Sequence, residues 1–417
     1  MIKTLISFFF CFVILMNASA QKFEGLALTP PMGWNSWNYF NCDGINEQLI
    51  REMADAMTGN GMKDAGYEYI VIDDCWQIGR ETDGTIIADP IKFPSGMKAL
   101  VDYIHSKGLK FGLYSDAGVQ TCAGRPGSRG YEFQDARTYA SWGVDFVKYD
   151  WCNTGEQNAQ ASYKIMRDAL YQAGRPVLFS MCEWGLSKPW LWANNVAHIW
   201  RTTGDIRNNW DIPDAKEGKV WGGGIIVNLD MQQGLEKFAG PGQWNDPDML
   251  EIGNGVLTEA EERSHFSLWC MLAAPLMAGN DLRNMTKQTK EILTNTEVIA
   301  IDQDPLGRQG FKIKDFGEFE VYYKPLQNGD VAICLFNRFD YPVDVEMDWE
   351  TRNPVIFIEG KKLEVSHDII DRKDITLNGQ YRVRDLWKKQ NIGNTDKIFK
   401  TTILKHDVLV FRLMKNN

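Results

Sequence analysis

The stretch VDFVKYDWC, residues 144 to 152, places a lysine and an aspartate where they could act together. Side chains two positions apart on a β-strand project to the same face, so Lys148 and Asp150 are predicted to be neighbours. A lysine lowers the pKa of a nearby carboxyl, and the ionised carboxylate is the nucleophilic form. The pair is therefore either a packed ion pair or part of an active site.

Other acidic residues also stand at the ends of short apolar runs, such as YEYIVIDDCW, KFGLYSDAG and HIWRTTGDI. So many acids at one place would repel one another unless they bound a metal, paired with cations or accepted hydrogen bonds from hydroxyl groups. Two cations, Lys148 and Arg201, belong to the same runs. The acids at the run ends are Asp73, Asp74, Asp116, Asp150, Glu183, Asp205, Asp246 and Asp248.

The few histidines argue against a catalytic zinc site, because none of the five pairs with another in a His-x-His or HExxH pattern. An all-oxygen calcium or magnesium site stays open as an alternative, although no loop signature supports it. A structural role is favoured for Asp116, and it is at least as strong a reading as function for Asp246. We expect no metal and no cofactor.

Glycoside hydrolysis is the reaction that requires two carboxylates across one bond, surrounded by groups that bind sugar hydroxyls. The 15 tryptophans of the chain offer flat apolar faces to sugar rings. Asp150 beside Lys148 suits the carboxylate that stays ionised, and Asp205 near Trp200 and other acids suits the group that holds a proton. The pattern alone leaves these two roles open.

Eight apolar runs alternate with helical patterns between about residue 30 and residue 300. This order predicts a (β/α)8 TIM barrel, in which the active site lies at the carboxyl ends of the strands. A doubly wound open sheet is the alternative. The missing Gly-rich phosphate loop and the acids at most run ends favour the barrel.

The two ends of the chain differ in residue pattern from the region between them. Residues 1–20 combine one lysine, an apolar run and small residues, which predicts a signal peptide. From about Phe311 apolar and polar residues alternate, and Asn328-Gly329 is a strong hairpin signal. We therefore expect a catalytic barrel over residues 21–307 and an antiparallel β-sandwich over residues 308–417 that covers and braces it.

Charge and hydropathy narrow the partners of this chain of 417 residues. A net charge of -10 disfavours nucleic acid and anionic membrane surfaces. No run after the signal peptide is long and apolar enough to span a membrane. We expect a secreted or periplasmic protein in which disulfides can form, with a neutral substrate and an oligomeric state that the residues do not reveal.

Eight motifs, in chain order, closely resemble the α-galactosidases of glycoside hydrolase family 27, the melibiase group. They are PPMGWNSWNYF, IDDCWQ, TCAGRPGS, FVKYDWC, SMCEWG, WRTTGDI, GQWNDPDML and QDPLGRQG. The resemblance covers residues 28 to about 310 and continues more loosely through the C-terminal region. It implies a retaining, exo-acting α-galactosidase that hydrolyses terminal α-D-galactosyl residues through a covalent galactosyl-enzyme intermediate.

The resemblance also implies roles for single residues. Asp150 is implied as the nucleophile and Asp205 as the acid/base. The implied pair of disulfides is Cys42–Cys75 and Cys122–Cys152. The residues implied to contact galactose are Trp37, Asp73 and Asp74 (4- and 6-hydroxyls), Tyr114, Lys148 (3-hydroxyl region), Glu183 and Arg201 (2-hydroxyl), Asp248 and Met249.

Two other functions are weighed against this one. A β-L-arabinopyranosidase would use the same chemistry on a sugar without the C6 hydroxymethyl group, and two adjacent acids, Asp73 and Asp74, favour galactose instead. A non-catalytic galactoside-binding protein would be expected to lack Asp150 or Asp205, and both are present. The segment IPDAKEGKVWGGGIIVNLDMQQG departs from the family pattern, which leaves the preference beyond the galactose undecided.

Overall fold

The computed structural model describes residues 22–216, 218–349, 353–358, 360–362 and 380–415. The predicted signal peptide, residues 1–20, lies outside the described residues. Within the described ranges, none of the helices has the length and apolar character needed to cross a membrane.

The first three quarters of the chain alternate strands with helices. The strands are β1 (Met32–Asn35), β2 (Tyr69–Ile72), β3 (Gln77–Arg80), β4 (Ile86–Ala88), β5 (Lys110–Asp116), β6 (Phe146–Asp150), β7 (Leu178–Cys182), β8 (Ile199–Arg201), β9 (Pro213–Lys216), β10 (Lys219–Gly223), β11 (Trp244–Asp246) and β12 (Leu276–Ala278). The helices are α1 (Trp37–Gly44), α2 (Glu47–Gly59), α3 (Met62–Ala65), α4 (Met97–Ser106), α5 (Glu132–Trp142), α6 (Ala159–Gln172), α7 (Ile225–Asp230), α8 (Glu259–Leu272), α9 (Lys287–Leu293) and α10 (Thr296–Asp302).

Eight of these strands form one parallel sheet, which confirms the predicted (β/α)8 barrel. Their order is β11-β8-β7-β6-β5-β2-β1-β12. A parallel bridge between Leu250, four residues after β11, and Ala278 of β12 closes the sheet. The strands are short and buried on both faces, as in β2, where Ile70, Val71 and Ile72 are fully buried.

Two helices around the barrel begin at residues whose side chains cap the first turn. In α2 the Asn46 side chain caps the first turn by accepting a hydrogen bond from the Leu49 N–H at 2.9 Å. The apolar residues Ile50, Met53 and Met57 follow at helical spacing and are fully buried. At α8, Thr258 and Glu261 form a reciprocal capping box.

The register of the strands places the acidic and basic residues at their carboxyl ends on one rim of the barrel. Asp116 at the end of β5 lies opposite Asp150 at the end of β6. Arg201 at the end of β8 lies opposite Asp246 at the end of β11. Since the strands are parallel, their carboxyl ends share one mouth of the barrel, and the predicted site residues are gathered there.

The C-terminal part forms the predicted antiparallel sandwich. The strands are β13 (Phe311–Asp315), β14 (Phe319–Pro325), β15 (Val331–Asn337), β16 (Val343–Asp348), β17 (Asn353–Ile358), β18 (Lys361–Lys362), β19 (Tyr381–Asp385), β20 (Gln390–Asn394), β21 (Phe399–Ile403) and β22 (Val408–Lys415). They form two sheets with the orders β13-β14-β15-β22-β19-β20 and β18-β17-β16-β21. The Asn328-Gly329 turn joins β14 to β15 as predicted.

Candidate active site

A cavity of about 270 Å³ opens at the carboxyl ends of the barrel strands. It brings together ten of the eleven residues predicted to act on or bind the sugar; Glu183 is the one that does not line it. The ten are Trp37, Asp73, Asp74, Tyr114, Lys148, Asp150, Arg201, Asp205, Asp248 and Met249.

Asp150 is a buried carboxylate, 6% exposed, that borders this cavity. The Trp151 N–H donates to its Oδ1 at 2.9 Å, and the Tyr114 hydroxyl donates to its Oδ2 at 3.0 Å. Burial raises the pKa of Asp150 to about 7, against the opposing effect of the Lys148 charge. Lys148 thus acts on Asp150 in the predicted direction, but burial outweighs it.

Lys148 makes its ion pair with another carboxylate. Its Nζ lies 2.8 Å from Asp73 Oδ2, and the Asn35 side-chain amide donates to the same oxygen at 2.7 Å. Burial opposes the charge of the lysine, but Asp73 and further carboxylates raise its pKa above the usual range. Lys148 therefore stays positively charged. It is ion-paired with Asp73, and its charge also acts on Asp150.

The adjacent acids Asp73 and Asp74 are held by backbone and hydroxyl groups. The Asp73 N–H donates to Ser36 Oγ at 3.0 Å, and Asp73 Oδ1 accepts from the Asp74 N–H at 2.9 Å. Asp74 accepts from the N–H groups of Cys75 and Ala123 at 2.7 and 2.9 Å. Both side chains reach the cavity in fixed orientations, as groups that bind hydroxyls must.

Arg201 lies between two acids on the β8 side of the mouth. Its Nη2 is 2.8 Å from Asp248 Oδ2 and 3.4 Å from Asp205 Oδ1. Asp248 adopts a left-handed φ of 85°, which is strained for a residue with a side chain. Hydrogen bonds from the Ile206 N–H to Asp248 Oδ2 and from Trp269 Nε1 to its carbonyl hold this conformation.

Asp205 differs from Asp150 in its exposure. Its side chain is 39% exposed, whereas the carboxylate of Asp150 is buried. Asp205 lies close enough to Asp150 for its charge to raise the pKa of Asp150 further, after burial and the opposing effect of Lys148. The two carboxylates therefore share one electrostatic environment while only Asp205 is open to solvent.

Glu183 does not line the cavity, and its implied contact with the 2-hydroxyl stays a prediction. Its Oε2 accepts from the Ser187 N–H at 2.6 Å, which turns the carboxylate toward the following loop. Burial raises its pKa to about 7. Of its two neighbours, Trp184 lines the cavity, and Cys182 Sγ lies 3.6 Å from Nη1 of the cavity residue Arg201.

Several residues that line the cavity are not predicted from the sequence. Glu251 is almost fully buried and accepts from the side-chain amides of Asn38 and Asn254 at 2.6 and 2.5 Å. Its position directly after DPDML was the only local signal, and no apolar run ends there. The other lining residues outside the prediction are Tyr39, Asn41, Cys122, Trp184, Ile206, Arg207 and Asn208.

Both implied disulfides, Cys42–Cys75 and Cys122–Cys152, are present. One cysteine of each disulfide lies close in sequence to a carboxylate of the cavity. Cys75 comes directly after Asp74, and Cys152 comes two residues after Asp150. Asp116 supports this corner, because its oxygens accept from the N–H groups of Gly118 and Cys152 at 2.6 and 2.8 Å. These contacts agree with the structural role favoured for Asp116.

A (β/α)8 barrel with two carboxylates in one aromatic-walled cavity, amid further acids and cations, is the architecture of a glycoside hydrolase. Comparisons with known proteins narrow this class. The family model described as alpha galactosidase A matches residues 29–304. The model of the alpha galactosidase C-terminal beta sandwich domain matches residues 316–413.

Individual relatives agree with the family models. Alpha-galactosidase A of Cellvibrio japonicus is 52% identical over 402 residues, 96% of each chain. The crystal structure of α-galactosidase I from Mortierella vinacea has a TM-score of 0.85 at 38% identity, covering 94% of this chain and 98% of that one. An α-galactosidase from Saccharomyces cerevisiae, solved with raffinose, has a TM-score of 0.85 at 31% identity, covering 94% and 99%.

The chain belongs to the α-galactosidases of glycoside hydrolase family 27, the melibiase family. Its reaction is therefore the hydrolysis of α-galactosides, and its substrate is a carbohydrate.

Proposed function

We propose that this chain is a retaining, exo-acting α-galactosidase in which Asp150 is the nucleophile and Asp205 is the acid/base. The observation that carries the proposal is the pairing of one buried, hydrogen-bonded carboxylate with one solvent-accessible carboxylate in the same cavity. At about 270 Å³ the cavity is small for a ligand site, which suits a single terminal sugar ring.

The reaction would run in two displacements at C1 of the galactose. In the first, Asp205 protonates the glycosidic oxygen as the bond from C1 to that oxygen breaks, and an Asp150 oxygen bonds to C1. In the second, Asp205 takes a proton from water as the water oxygen attacks C1 and the ester bond to Asp150 breaks. Two inversions leave the product in the α configuration.

The charge of each carboxylate affects the protonation of the other. Burial raises the pKa of Asp150, and the negative charge of Asp205 raises it further despite Lys148. Protonating Asp205 removes that repulsion, which favours the ionised form of Asp150. The first displacement requires Asp150 to be ionised.

The buried acids favour galactose as the bound sugar. Asp73 and Asp74 reach the cavity side by side, and both are only 2% exposed. Acids committed to the axial 4-hydroxyl would be left unpaired by glucose, which is a costly mismatch. A second acid directed at the 6-hydroxyl would gain nothing from an arabinopyranoside, so we rank β-L-arabinopyranosidase below α-galactosidase.

Azide rescue tests the two roles separately. We expect Asp150→Gly to lose turnover of p-nitrophenyl α-galactoside and to regain it with azide, which takes the place of the carboxylate and forms β-galactosyl azide. With Asp205→Gly, azide should instead attack the galactosyl ester and form α-galactosyl azide. NMR of the azide product distinguishes these outcomes, and the opposite configurations would exchange the two assignments.

A neighbouring acid is the control for the nucleophile. Asp116 lies opposite Asp150 in register, but both its oxygens accept backbone hydrogen bonds. We therefore expect Asp116→Asn to keep measurable turnover without azide. Full turnover by Asp150→Asn would contradict the proposed mechanism, and a higher kcat/KM on p-nitrophenyl β-L-arabinopyranoside than on the α-galactoside would change the substrate.

We also propose that the chain is exported to an oxidising compartment. The support is the signal-peptide pattern of residues 1–20 together with two disulfides beside the active site. An N-terminal sequence of the mature protein that begins near residue 21 would be the expected result.

A further inference from the structure

The first part of the segment that departs from the family pattern forms the hairpin of β9 and β10, which contacts Trp184 at the rim of the active-site cavity. Strands β9 and β10 pair antiparallel, and β10 presents Trp221 to Trp184, with ring centroids 5.6 Å apart and planes at 60°. Lys216 Nζ lies 5.5 Å from the Trp184 ring and 5.4 Å from the Trp221 ring. We call these three side chains, Trp184, Lys216 and Trp221, the rim platform.

Backbone hydrogen bonds join the hairpin directly to the segment that carries Asp205. The Gly204 N–H donates to the Trp221 carbonyl at 2.6 Å, and the Arg207 N–H donates to the Gly223 carbonyl at 2.7 Å. A Cβ at Gly204 would lie 2.4 Å from the Trp221 ring, so the indole packs on the backbone one residue before Asp205. The platform therefore has a fixed position beside the acid/base.

This position is on the leaving-group side of the proposed reaction. An acid/base must reach the oxygen that joins the galactose to the rest of the substrate, so whatever follows that oxygen must lie near Asp205. Trp184 lines the galactose cavity and also contacts Trp221. The platform is thus continuous with the cavity, and it extends outward from the carboxylate that protonates the leaving group.

The chemistry of the platform suits a sugar. Trp184 and Trp221 are half-buried, and they offer apolar ring surface of the kind that packs against the C–H face of a pyranose. Lys216 is exposed, and its ammonium carries three donors for hydroxyl groups. A small alcohol such as methanol would be too short to reach these side chains.

We infer that the rim platform binds the first sugar unit of the leaving group, so that α-galactosyl oligosaccharides are preferred over α-galactosides of small alcohols. The inference rests on the proposed function, because it requires Asp205 as the acid/base. It also assigns a role in substrate choice to the one segment that the family resemblance left undecided.

Melibiose and methyl α-galactoside form the matched pair of substrates for the test. Both leaving groups are alkoxides that need a proton from Asp205, but only melibiose places a sugar ring beyond the bond. We expect Trp221→Ala to lower the ratio of kcat/KM for melibiose to kcat/KM for methyl α-galactoside by about tenfold. For Lys216→Ala we expect a reduction of about threefold.

The control is Lys219→Ala, since Lys219 pairs with Lys216 on the same hairpin and is equally exposed. It should leave the ratio unchanged. Trp221→Phe, which keeps an aromatic ring on Gly204, replaces Trp221→Ala if that variant does not fold, and a smaller drop in the ratio is then expected.

An unchanged ratio in Lys216→Ala and the Trp221 variant would overturn the inference. The ratio also stays unchanged when both substrates lose activity equally, and the hairpin would then only support Asp205. A wild-type enzyme that cleaves neither substrate would contradict the proposed function itself, which is a different and recognisable failure.

Discussion

At the scale of single residues, the relation between Lys148 and Asp150 shows what a strand pattern can and cannot predict. Alternation on β6 places both side chains on the face toward the barrel interior, as expected. The ion pair of Lys148 nevertheless forms with Asp73, 2.8 Å away. The stretch VDFVKYDWC therefore holds both alternatives: Asp150 borders the cavity, and Lys148 is a half-buried ion-pair partner beside it.

Replacing Lys148 tests this division. In Lys148→Met, Asp73 loses its cation in a buried setting and Asp150 loses a charge that lowers its pKa. We expect kcat/KM for p-nitrophenyl α-galactoside to fall roughly 30-fold, which corresponds to about 2 kcal/mol, a usual loss for a buried charged hydrogen bond. Circular dichroism should show an unchanged fold.

Lys110→Met is the matched control for this loss. Lys110 also pairs with a carboxylate, Glu68, at 2.8 Å, but both side chains are nearly half exposed. We expect no change in kcat/KM, because exposed pairs contribute little. Equal effects of the two substitutions would contradict a role for Lys148 in the site.

At the scale of elements, the disulfides attach loops to the strand ends that carry the site. Cys122–Cys152 closes a separation of 30 residues and Cys42–Cys75 one of 33. By loop-closure entropy each should stabilise the fold by about 3.5 kcal/mol. We expect the double variants Cys122→Ser/Cys152→Ser and Cys42→Ser/Cys75→Ser to lose similar amounts in denaturant unfolding.

We also expect the two disulfide variants to lose activity to similar extents, because Asp74 and Asp150 both lie beside a bridged cysteine. The wild-type protein treated with a reductant is the control, and it should match the less stable variant or fall below it. An unfolding midpoint that does not move in either variant would show that the loops are held by other contacts.

The hairpin of β9 and β10 is one of the elements that sequence patterns did not predict. β9 has the sequence PDAK, with no apolar alternation and little burial, and β10 ends in two glycines. Such a hairpin has no apolar face of its own, so its signal is weak. It folds because Trp221 packs on Gly204 and because the backbone of residues 204–207 offers it hydrogen bonds.

At the scale of the whole molecule, α8 connects the barrel to the sandwich. Arg263 forms a two-point ion pair with Asp407, at 2.9 and 2.5 Å, and the buried Lys324 donates to the Cys270 carbonyl at 2.8 Å. Apolar residues of β15 and β22 join the barrel core. These contacts agree with the predicted bracing role of the C-terminal part.

Stability should depend on pH through a buried histidine far from the cavity mouth. His198 Nδ1 accepts from the Phe179 N–H at 3.0 Å and its Nε2 donates to the Phe23 carbonyl at 2.7 Å, which is the arrangement of a neutral ring. Burial lowers the pKa of His198 to about 4. Between pH 6.5 and 4 the unfolded chain therefore binds a proton that the folded chain does not.

The sign follows from this difference in bound protons. The His198 contribution makes the free energy of unfolding fall as the pH falls, by about 1.4 kcal/mol per pH unit within that window. Buried acids with raised pKa values, such as Asp150, act in the opposite direction, so the comparison must be between variants. We expect His198→Gln to show a smaller loss of stability than the wild type between pH 6.5 and 4.5 in urea titrations. Parallel curves would contradict this account.

The sequence by itself determined the barrel, the sandwich and the positions of the acids at the strand ends. These depend on hydrophobic periodicity and on turn residues, which act over a few neighbouring positions. The resemblance implied the roles of Asp150 and Asp205, which stay predictions. It also implied the two disulfides, and both disulfides are present in the structure.

Only the tertiary structure decided how the side chains meet. Lys148 on β6 reaches Asp73 beyond β2 across the intervening β5, and no local pattern encodes a contact between strands that are not neighbours. The Glu183 carboxylate accepts a hydrogen bond from the Ser187 N–H and does not line the cavity, whereas the adjacent Trp184 does. Backbone periodicity determines which face a residue occupies, whereas the partner on that face depends on distances that arise only when the barrel closes.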